Sequence, residues 1–304
     1  MHKYTISFVL ASASLIAGEY GFSTYHYVDP DRPIHVEGRY RWVGPAKFEN
    51  HKRGHVDYSD ANAGLYYTQF LNDENSLSYE VGYDFLRFDW KKNPRFSDKD
   101  FHYFVGSLGL ASTTIDRWRW VLNAGFSVDA AHFDFAHSAV GHAMMWGRFH
   151  AADWMGVHVG IFGWYGVENG QAWPIFGFDW KFNDHWSAAT VFPQDVSLTY
   201  SFNENWSIEA ASNCFGGPYR NYPRRARDGK QDRKREFKSP VFMIFSSGAE
   251  LCLRYKFEHL LRANIGAGWD FGGWIFIADH DNRHGKYYHF NGAPYLKGGF
   301  ELTF

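Results

Sequence analysis

The stretch LLRANIGAGWDF, residues 260–271, decides the fold because its side chains alternate in polarity. From Leu261 to Phe271 every second residue is apolar, and the residues between them are Arg, Asn, Gly, Gly and Asp. A period of two is the signature of a β-strand with one apolar and one polar face. The segment SLSYEVGYDF, residues 76–85, repeats the pattern, so strands are predicted to dominate the chain.

The composition indicates which solvent the apolar faces meet. Aromatic residues make up 20% of the 304 residues, yet mean hydropathy is negative at -0.43. Aromatics spread through a polar chain are typical of a barrel whose outer face contacts lipid. Beyond the N-terminus no apolar run approaches the ~18 residues of a membrane-spanning helix. Helical membrane proteins are thereby excluded, and the net charge of -2 indicates no particular partner.

A β-sandwich would also alternate, but two features favour a barrel. The alternating segments run to about 9–14 residues, long enough for tilted membrane-spanning strands, whereas sandwich strands average about 5–6. Tryptophans also cluster near segment ends, as in the aromatic girdles of membrane barrels: Trp90, Trp118, Trp120, Trp154, Trp186 and Trp206. The fold prediction is all-β, a transmembrane antiparallel up-and-down β-barrel.

Turn lengths give the strand count. Short polar turns, as at 71–76 and 202–206, alternate with longer connections, as at 91–100 and 216–238. Such alternation is typical of short periplasmic turns and longer outer loops. Six short turns and seven outer connections predict fourteen strands, with twelve as the fallback.

The first residues, MHKYTISFVLASASLIAG, predict a secretory signal peptide at 1–18. A short basic region precedes an apolar run and then small residues. A buried first strand or helix is the alternative. The barrel is then assigned to residues 19–304, with export to the bacterial cell outer membrane.

The final strand ends on an aromatic residue. In YLKGGFELTF, residues 295–304, Leu302 and Phe304 are predicted to face lipid, with the strand pairing with the first one. The tail resembles the C-terminal signal of bacterial outer-membrane proteins, carried here by Gly299, Leu302 and Phe304. The resemblance implies recognition by the barrel-assembly machinery.

A second resemblance covers PIFGFDWKFNDHW, residues 174–186, and VFPQDVSLTYSFNENW, residues 191–206. These segments resemble hairpins of an uncharacterised family of bacterial outer-membrane β-barrel proteins, porin-like in kind, in which an N-x-x-W turn closes a strand. The resemblance implies fold and location and no active site.

Charged side chains of both signs are predicted to face the lumen. The residues assigned to solute selectivity are Glu80, Asp84, Asp179, Lys181, Glu250, Arg254, Lys256 and Arg262. Arg254, Lys256 and Arg262 should form a positive wall near the periplasmic end, with Glu80 and Asp84 across the bore. Such a balance fits a water-filled pore or a lumen plugged by ion pairs. A bulge at Leu86 is predicted, returning Arg87 and Asp89 to the lumen.

A basic outer loop, residues 220–238, holds nine Lys or Arg and three acids. Binding to lipopolysaccharide phosphates or sulfated glycans is one reading, and a solvated loop is the other. The residues assigned to surface binding are Arg224, Arg225, Arg227, Arg233, Lys234 and Arg235. Nucleic acid is not expected on this side of the membrane.

Catalytic, metal and cofactor sites are not expected. The histidines near 132–142 and in DHDNRH, residues 279–284, lack a spacing that fixes metal ligands. Cys214 and Cys252 are predicted on opposite sides of the wall, which disfavours a disulfide. The sequence thus predicts a passive outer-membrane channel for small polar solutes, in contact with membrane lipid. The alternative is a surface adhesin or structural barrel acting through loop 220–238.

Overall fold

The computed structural model describes residues 32–49, 54–90, 99–167, 170–192, 195–221, 241–279, 281 and 283–304. Fifteen strands form one antiparallel sheet: β1 Ile34–Lys47, β2 His55–Phe70, β3 Asn75–Trp90, β4 Asp100–Ser112, β5 Trp118–Asp129, β6 Ala139–Ala152, β7 Met155–Tyr165, β8 Gln171–Lys181, β9 Trp186–Phe192, β10 Asp195–Ser201, β11 Trp206–Phe215, β12 Pro218–Arg220, β13 Val241–Phe257, β14 Leu261–Ala278 and β15 Lys286–Thr303. A single helical turn, α1 Phe135–Ser138, lies between β5 and β6. In the described residues, no helix has the length and apolarity to cross a membrane.

The sheet closes on itself as a barrel. β15 pairs with β1, as the tail pattern predicts, and β11 pairs with β13. β12 continues β11 in the same register, because Phe215 pairs with Ser246 and Pro218 with Met243. The wall therefore contains fourteen strands, and the predicted count is confirmed.

Asparagine side chains form three of the short turns. The Asn183 Oδ1 atom accepts hydrogen bonds from the backbone N–H groups of His185 and Trp186, both at 2.8 Å. Asn203 binds Asn205 and Trp206 in the same way at 2.9 Å, and Asn72 caps the first short turn. An asparagine that satisfies backbone donors stabilises a tight turn, which is the physical basis of the N-x-x-W pattern.

The outward face is an apolar belt. Large side chains on alternate positions of the strands stay exposed on the isolated barrel: Val81, Leu108, Leu122, Ile161, Phe176, Leu251, Ile265 and Leu296. Trp154, Trp186 and Trp206 are exposed at the end that carries the short turns. An outward apolar band bordered by aromatic residues is what a barrel presents to a bilayer.

The prediction for Leu86 is wrong. β3 keeps one register with both neighbours, without a bulge. Leu86 and Phe88 are buried inside the barrel, and Arg87 remains on the outward parity, exposed. Trp90 is also buried and stacks on Phe48 at 4.2 Å between ring centroids, so its assignment to a girdle is wrong as well. Apolar side chains are favoured here because this part of the bore is filled.

What fills the bore is a flap, which we define as β12 with residues 241–246 of β13 and 273–278 of β14. In β13, Leu251 and Met243 share a face, since the register with β11 and β12 is unbroken. Leu251 is 59% exposed on the outside, whereas Met243 is 0% exposed. Met243 packs with lumen-facing residues of β6 and β7, including Trp146 and Phe162. The flap therefore folds inward across the bore.

The other face of the flap packs against the opposite lumen wall. Phe242 and Ile244 belong to a buried cluster with residues of β1 to β4, among them Phe88 and Phe101. The Phe242 ring lies 4.9 Å from Phe101 and 5.0 Å from Tyr219, centroid to centroid. Both faces of the flap are thus apolar and buried, which explains why the run VFMIF, residues 241–245, does not alternate.

Glycines lie where the flap leaves the wall. Gly216 and Gly217 separate β11 from β12, and Gly272 and Gly273 interrupt β14 at the same level. The register between β13 and β14 shifts beside them, between Ser246 and Gly248. Gly216 and Gly272 have φ values of 108° and 95°, which other residues rarely adopt. The bend of the flap requires these positions.

Candidate lumen site

A polar cavity of about 600 Å³ occupies the lumen between the flap and the short-turn end. We call it the vestibule. Its lining comes from β1 to β3, β11 and β13 to β15, and it reaches the turn at residues 202–205. Tyr219 and Phe215 line it on the flap side.

Strand register sets the chemistry of the vestibule wall in three consecutive rungs. A rung here is a row of residues paired across adjacent strands, and the rows are given from the short-turn end inward. The first row contains Lys256, Arg262, Glu301 and Glu37, and the second contains Arg254, Asn264, Arg39, Asn62 and Asp84. The third contains Cys252, Lys297, Arg41 and Asp60. Gly299 and Gly266 occupy the remaining β15 and β14 positions of the second and third rungs, and the side chains of Arg39 and Lys297 lie over them. The next rungs contain Tyr295, Tyr58 and Phe88, where the apolar part begins.

Ion pairs stabilise this wall, three of them between adjacent strands, one across β14 and one within β1. Arg41 pairs with Asp60, Arg254 with Glu209, and Lys297 with Glu250. Arg262 lies 3.5 Å from Glu301, and Arg39 lies 3.9 Å from Glu37. The lining itself contains six bases and five acids.

The predicted positive wall is present as a cluster. Arg254, Lys256 and Arg262 all line the vestibule, and Lys256 lies directly opposite Arg262 across β13 and β14. Asp84 lines the same cavity, held by the Asn62 amide. Its strand, β3, is four strands from β14 in the closed sheet of fourteen, so the prediction that Asp84 lies directly across the bore from the positive wall is wrong.

Two other predicted residues lie against the wall. Glu80 accepts hydrogen bonds from Tyr66 at 3.0 Å and Ser107 at 2.6 Å. Glu250 is buried, and Tyr295 donates to it at 2.8 Å in addition to the Lys297 pair. These carboxylates hold the wall together, and neither contributes to the vestibule lining.

Asp179 belongs to a separate network on β6, β7 and β8. Its carboxylate accepts a two-pronged pair from Arg148, at 2.9 and 2.6 Å, and contacts His158 Nε2 at 2.5 Å. Trp146 donates to the other His158 nitrogen at 3.1 Å. Lys181 pairs with Asp184 in the following turn at 2.8 Å, outside the vestibule.

The loops place acids beside histidines. Asp134 caps α1, and hydrogen bonding from His137 and from backbone N–H groups lowers the pKa of its carboxyl. Slight burial would raise the pKa of Asp279, but hydrogen bonds from His284 and from backbone amides outweigh it and lower that pKa. Within the described residues, no three or more His, Cys, Asp or Glu side chains are grouped as for a metal ion.

The basic outer loop lies outside the described residues from 222 to 240, so the six arginines and lysines assigned to surface binding remain a prediction. Only its start is described. Arg220 donates from the guanidinium to the Gly166 carbonyl at 3.2 Å, and Tyr103 donates to Asn221 at 2.7 Å. The predicted signal peptide, residues 1–18, also lies outside the described residues.

The tail forms the seam of the barrel. Phe304 and Ile34 exchange two backbone hydrogen bonds, at 2.7 and 3.2 Å. Leu302 pairs with Val36, and Gly299 with Arg39. The assembly role of these residues stays a prediction. Both cysteines are free thiols: Cys214 pairs in register with Ser247, and Cys252 with Glu209.

Sequence reasoning missed five charged residues of the vestibule: Glu37, Arg39, Arg41, Asp60 and Glu204. The signal was present in RYRWV, residues 39–43, where two arginines alternate with Tyr40 and Trp42. Tyr40 and Trp42 are exposed on the outside, so the arginines face the lumen.

The closed wall, the apolar belt and the charged lumen define a transmembrane β-barrel of the outer-membrane type. By sequence the chain is similar to uncharacterised proteins of Chlamydia pneumoniae, 20% identical over 90% of this chain and 88% of that protein, and of Chlamydia muridarum, 21% identical with the same coverage. No protein-family model matches the chain.

Solved structures of similar shape are also barrels. An outer-membrane channel from Pseudomonas putida F1 has a TM-score of 0.48 and 10% identity, covering 92% of this chain and 98% of that one. A FadL homologue of Pseudomonas aeruginosa has a TM-score of 0.46 and 9% identity, with 89% and 90% covered. At these values the function has to be argued from the geometry of this chain.

Proposed function

We propose that the protein is a channel of the bacterial outer membrane for passive passage of small polar solutes, in its closed conformation. The observation that carries the proposal is a charged, open vestibule that ends at a hinged apolar flap. A purely structural barrel has no need of an open charged cavity of about 600 Å³. The short-turn end, where β1 begins and β15 ends, is then the periplasmic side.

Passage requires the flap to move. Apolar contacts, chiefly those of Phe242, hold the flap against the opposite wall, and backbone pairing of residues 273–277 with β15 attaches it along one edge. Glycines at the bend allow the backbone to change direction at limited cost. Movement of the flap toward the line of the wall would connect the vestibule with the outer side, giving brief openings from a closed ground state.

Conductance of the refolded protein in a planar bilayer tests the proposal. We expect rare, discrete current steps for the wild type. Phe242→Ala should raise the open probability at least about tenfold, since truncating a buried aromatic side chain typically costs about 3–5 kcal/mol of packing. The matched control is Phe176→Ala, which removes an outward ring that is 56% exposed.

Absence of discrete steps in both the wild type and Phe242→Ala would overturn the channel proposal. The adhesin or structural reading, through loop 220–238, would then be preferred. Equal open probabilities for Phe242→Ala and Phe176→Ala would instead overturn the assignment of the flap as the barrier.

A further inference from the structure

We propose that Arg254, Lys256 and Arg262, with Arg39 beside them, form a subsite for small water-soluble oxyanions that carry a carboxylate or phosphate group. The inference deepens the proposed channel function, because it names the class of solute that the vestibule accepts. Binding itself can be measured without any current.

The first observation is that the bases and acids of the vestibule differ in exposure. Side-chain exposure is 48% for Arg254, 40% for Arg262 and 36% for Arg39, against 6% for Glu209, 27% for Glu301 and 11% for Glu37, their respective partners. In each pair the carboxylate lies deeper in the wall and the guanidinium is nearer the cavity. The surface that a solute meets is therefore more positive than the formal charge of the lining.

The second observation concerns Lys256. Its side chain lines the cavity, is exposed, and makes no ion pair with the described residues. It lies directly opposite Arg262 on the neighbouring strand. Like charges in that position destabilise a sheet, and Arg262 has only the 3.5 Å contact with Glu301 to offset the repulsion. A bound anion would relieve it.

The acids that share the cavity are mostly engaged elsewhere. Asp60 pairs with Arg41, Asp84 accepts from Asn62, and Glu37 accepts from Tyr66 at 2.8 Å. Glu204 is in the turn at the mouth of the vestibule. The carboxylates thus hold the wall in place, and the exposed guanidinium and ammonium groups are left to meet a solute.

The chemistry of these groups defines the ligand. Guanidinium groups bind carboxylate and phosphate oxygens through paired hydrogen bonds, and an ammonium group adds a compact charge. The barrel wall separates the cavity from the bilayer, so membrane lipid is not the source of the anion. The cavity of about 600 Å³ has room for a ligand of this size.

The binding test uses the full refolded chain in a zwitterionic detergent, titrated calorimetrically with inorganic phosphate and separately with succinate. We expect saturable binding that weakens about fivefold or more in Lys256→Gln, since one charge-assisted contact is lost. Among the described residues Lys256 has no ion-pair partner that would be left unpaired, so this variant should fold. The matched control, Lys181→Gln, removes an exposed lysine paired with Asp184 outside the vestibule.

Equal affinity in Lys256→Gln and Lys181→Gln, or no saturable binding of either anion, would overturn the subsite. Reversal potentials under a salt gradient supply the second readout, with anion preference expected for the wild type and a shift toward cations in Lys256→Gln. Phosphate binding that depends on Lys256 without any current would leave the subsite standing and remove the channel. Currents that change neither with added phosphate nor in Lys256→Gln would support the channel and overturn the subsite.

Discussion

Tyr58 on β2 donates a hydrogen bond to the Asp270 carboxylate on β14, at 3.2 Å between the heavy atoms, and so connects the barrel wall to the base of the flap. The same phenol lies 2.8 Å from the Ser246 hydroxyl on β13. Asp270 is fully buried and also accepts hydrogen bonds from the Ser246 hydroxyl and, at 2.7 Å, from the Gly272 N–H group. Tyr58 therefore hydrogen-bonds both β13 and β14 at the level where these strands bend.

Tyr58→Phe should loosen the flap. Leaving a buried carboxylate short of a donor costs about 1–3 kcal/mol, which corresponds to a rise of roughly fivefold to 150-fold in open probability if the cost falls on the closed state. Single-channel recording measures it. The control is Tyr79→Phe, whose hydroxyl makes one exposed bond to Gln69. The same open probability in both variants would show that Tyr58 does not hold the flap.

Gly272→Val should prevent the flap from folding inward. The residue has a φ of 95°, and an added Cβ atom would lie 2.4 Å from the Phe290 carbonyl oxygen. Strain of this kind costs about 1–3 kcal/mol before the clash is counted. We expect larger and longer-lived currents and faster proteolysis at the flap. Gly141→Ala is the control, because the added Cβ atom would lie 4.0 Å from its nearest neighbour, the Gly125 carbonyl oxygen.

A Gly272→Val protein that folds, runs as a heat-modifiable band and conducts like the Gly141→Ala protein would contradict the requirement for glycine at the bend. If Gly272→Val fails to fold, Gly272→Ala is tested instead, because alanine is also strained at this positive φ but has a smaller side chain. That milder variant should show an intermediate open probability.

Asp179→Asn should destabilise the wall formed by β6, β7 and β8. The change removes the charge that holds Arg148 and His158 together. The expected loss in unfolding free energy is about 1–3 kcal/mol, measured by urea denaturation in detergent. Asp184→Asn is the comparison. The Asp184 side chain is 92% exposed in its pair with Lys181, and exposed ion pairs contribute about 0–1 kcal/mol to stability. Equal losses would mean that the Asp179 network adds little.

Phe304→Ser should reduce insertion into the outer membrane while leaving export intact, because the tail resembles the signal read by the assembly machinery. The level of heat-modifiable, folded protein in outer-membrane fractions is the readout. Phe202→Ser, a turn residue of similar exposure, controls for loss of an aromatic ring. Normal levels of folded Phe304→Ser protein would refute the assembly role.

The sequence predicted most of the wall and only part of its interior. Alternation in residues 76–85 and 261–271 assigned each side chain to a face, and the register confirms those faces. Alternation gave the wrong faces for Leu86 to Trp90. Every second residue is still apolar there, but the apolar residues occupy the inward positions and the charged ones the outward positions. Polar groups are favoured in a wet lumen, yet here the bore is filled by the flap, so apolar residues face inward.

The flap itself left a signal in the sequence. The runs 241–245 and 274–278 are apolar without alternation, which indicates strands buried on both faces. What buries them could not be read, because the contacts join β13 with strands more than a hundred residues away. The gap between Lys256 and Arg262, by contrast, is short, so their neighbourhood was predictable from the turn at 258–260.

By itself the sequence determined a fourteen-stranded barrel, the positions of its short turns and the sign of many lumen charges, since these follow from a local period of two and from turn chemistry. Only the tertiary structure decided that the bore is closed, that Asp84 lines the same cavity as Arg254 and Arg262, and that acids lie deeper than bases in the vestibule. Those properties depend on closure of the sheet between β1 and β15 and on the inward bend at the glycines. Both bring together residues that are distant in the chain, and no local pattern encodes their distance.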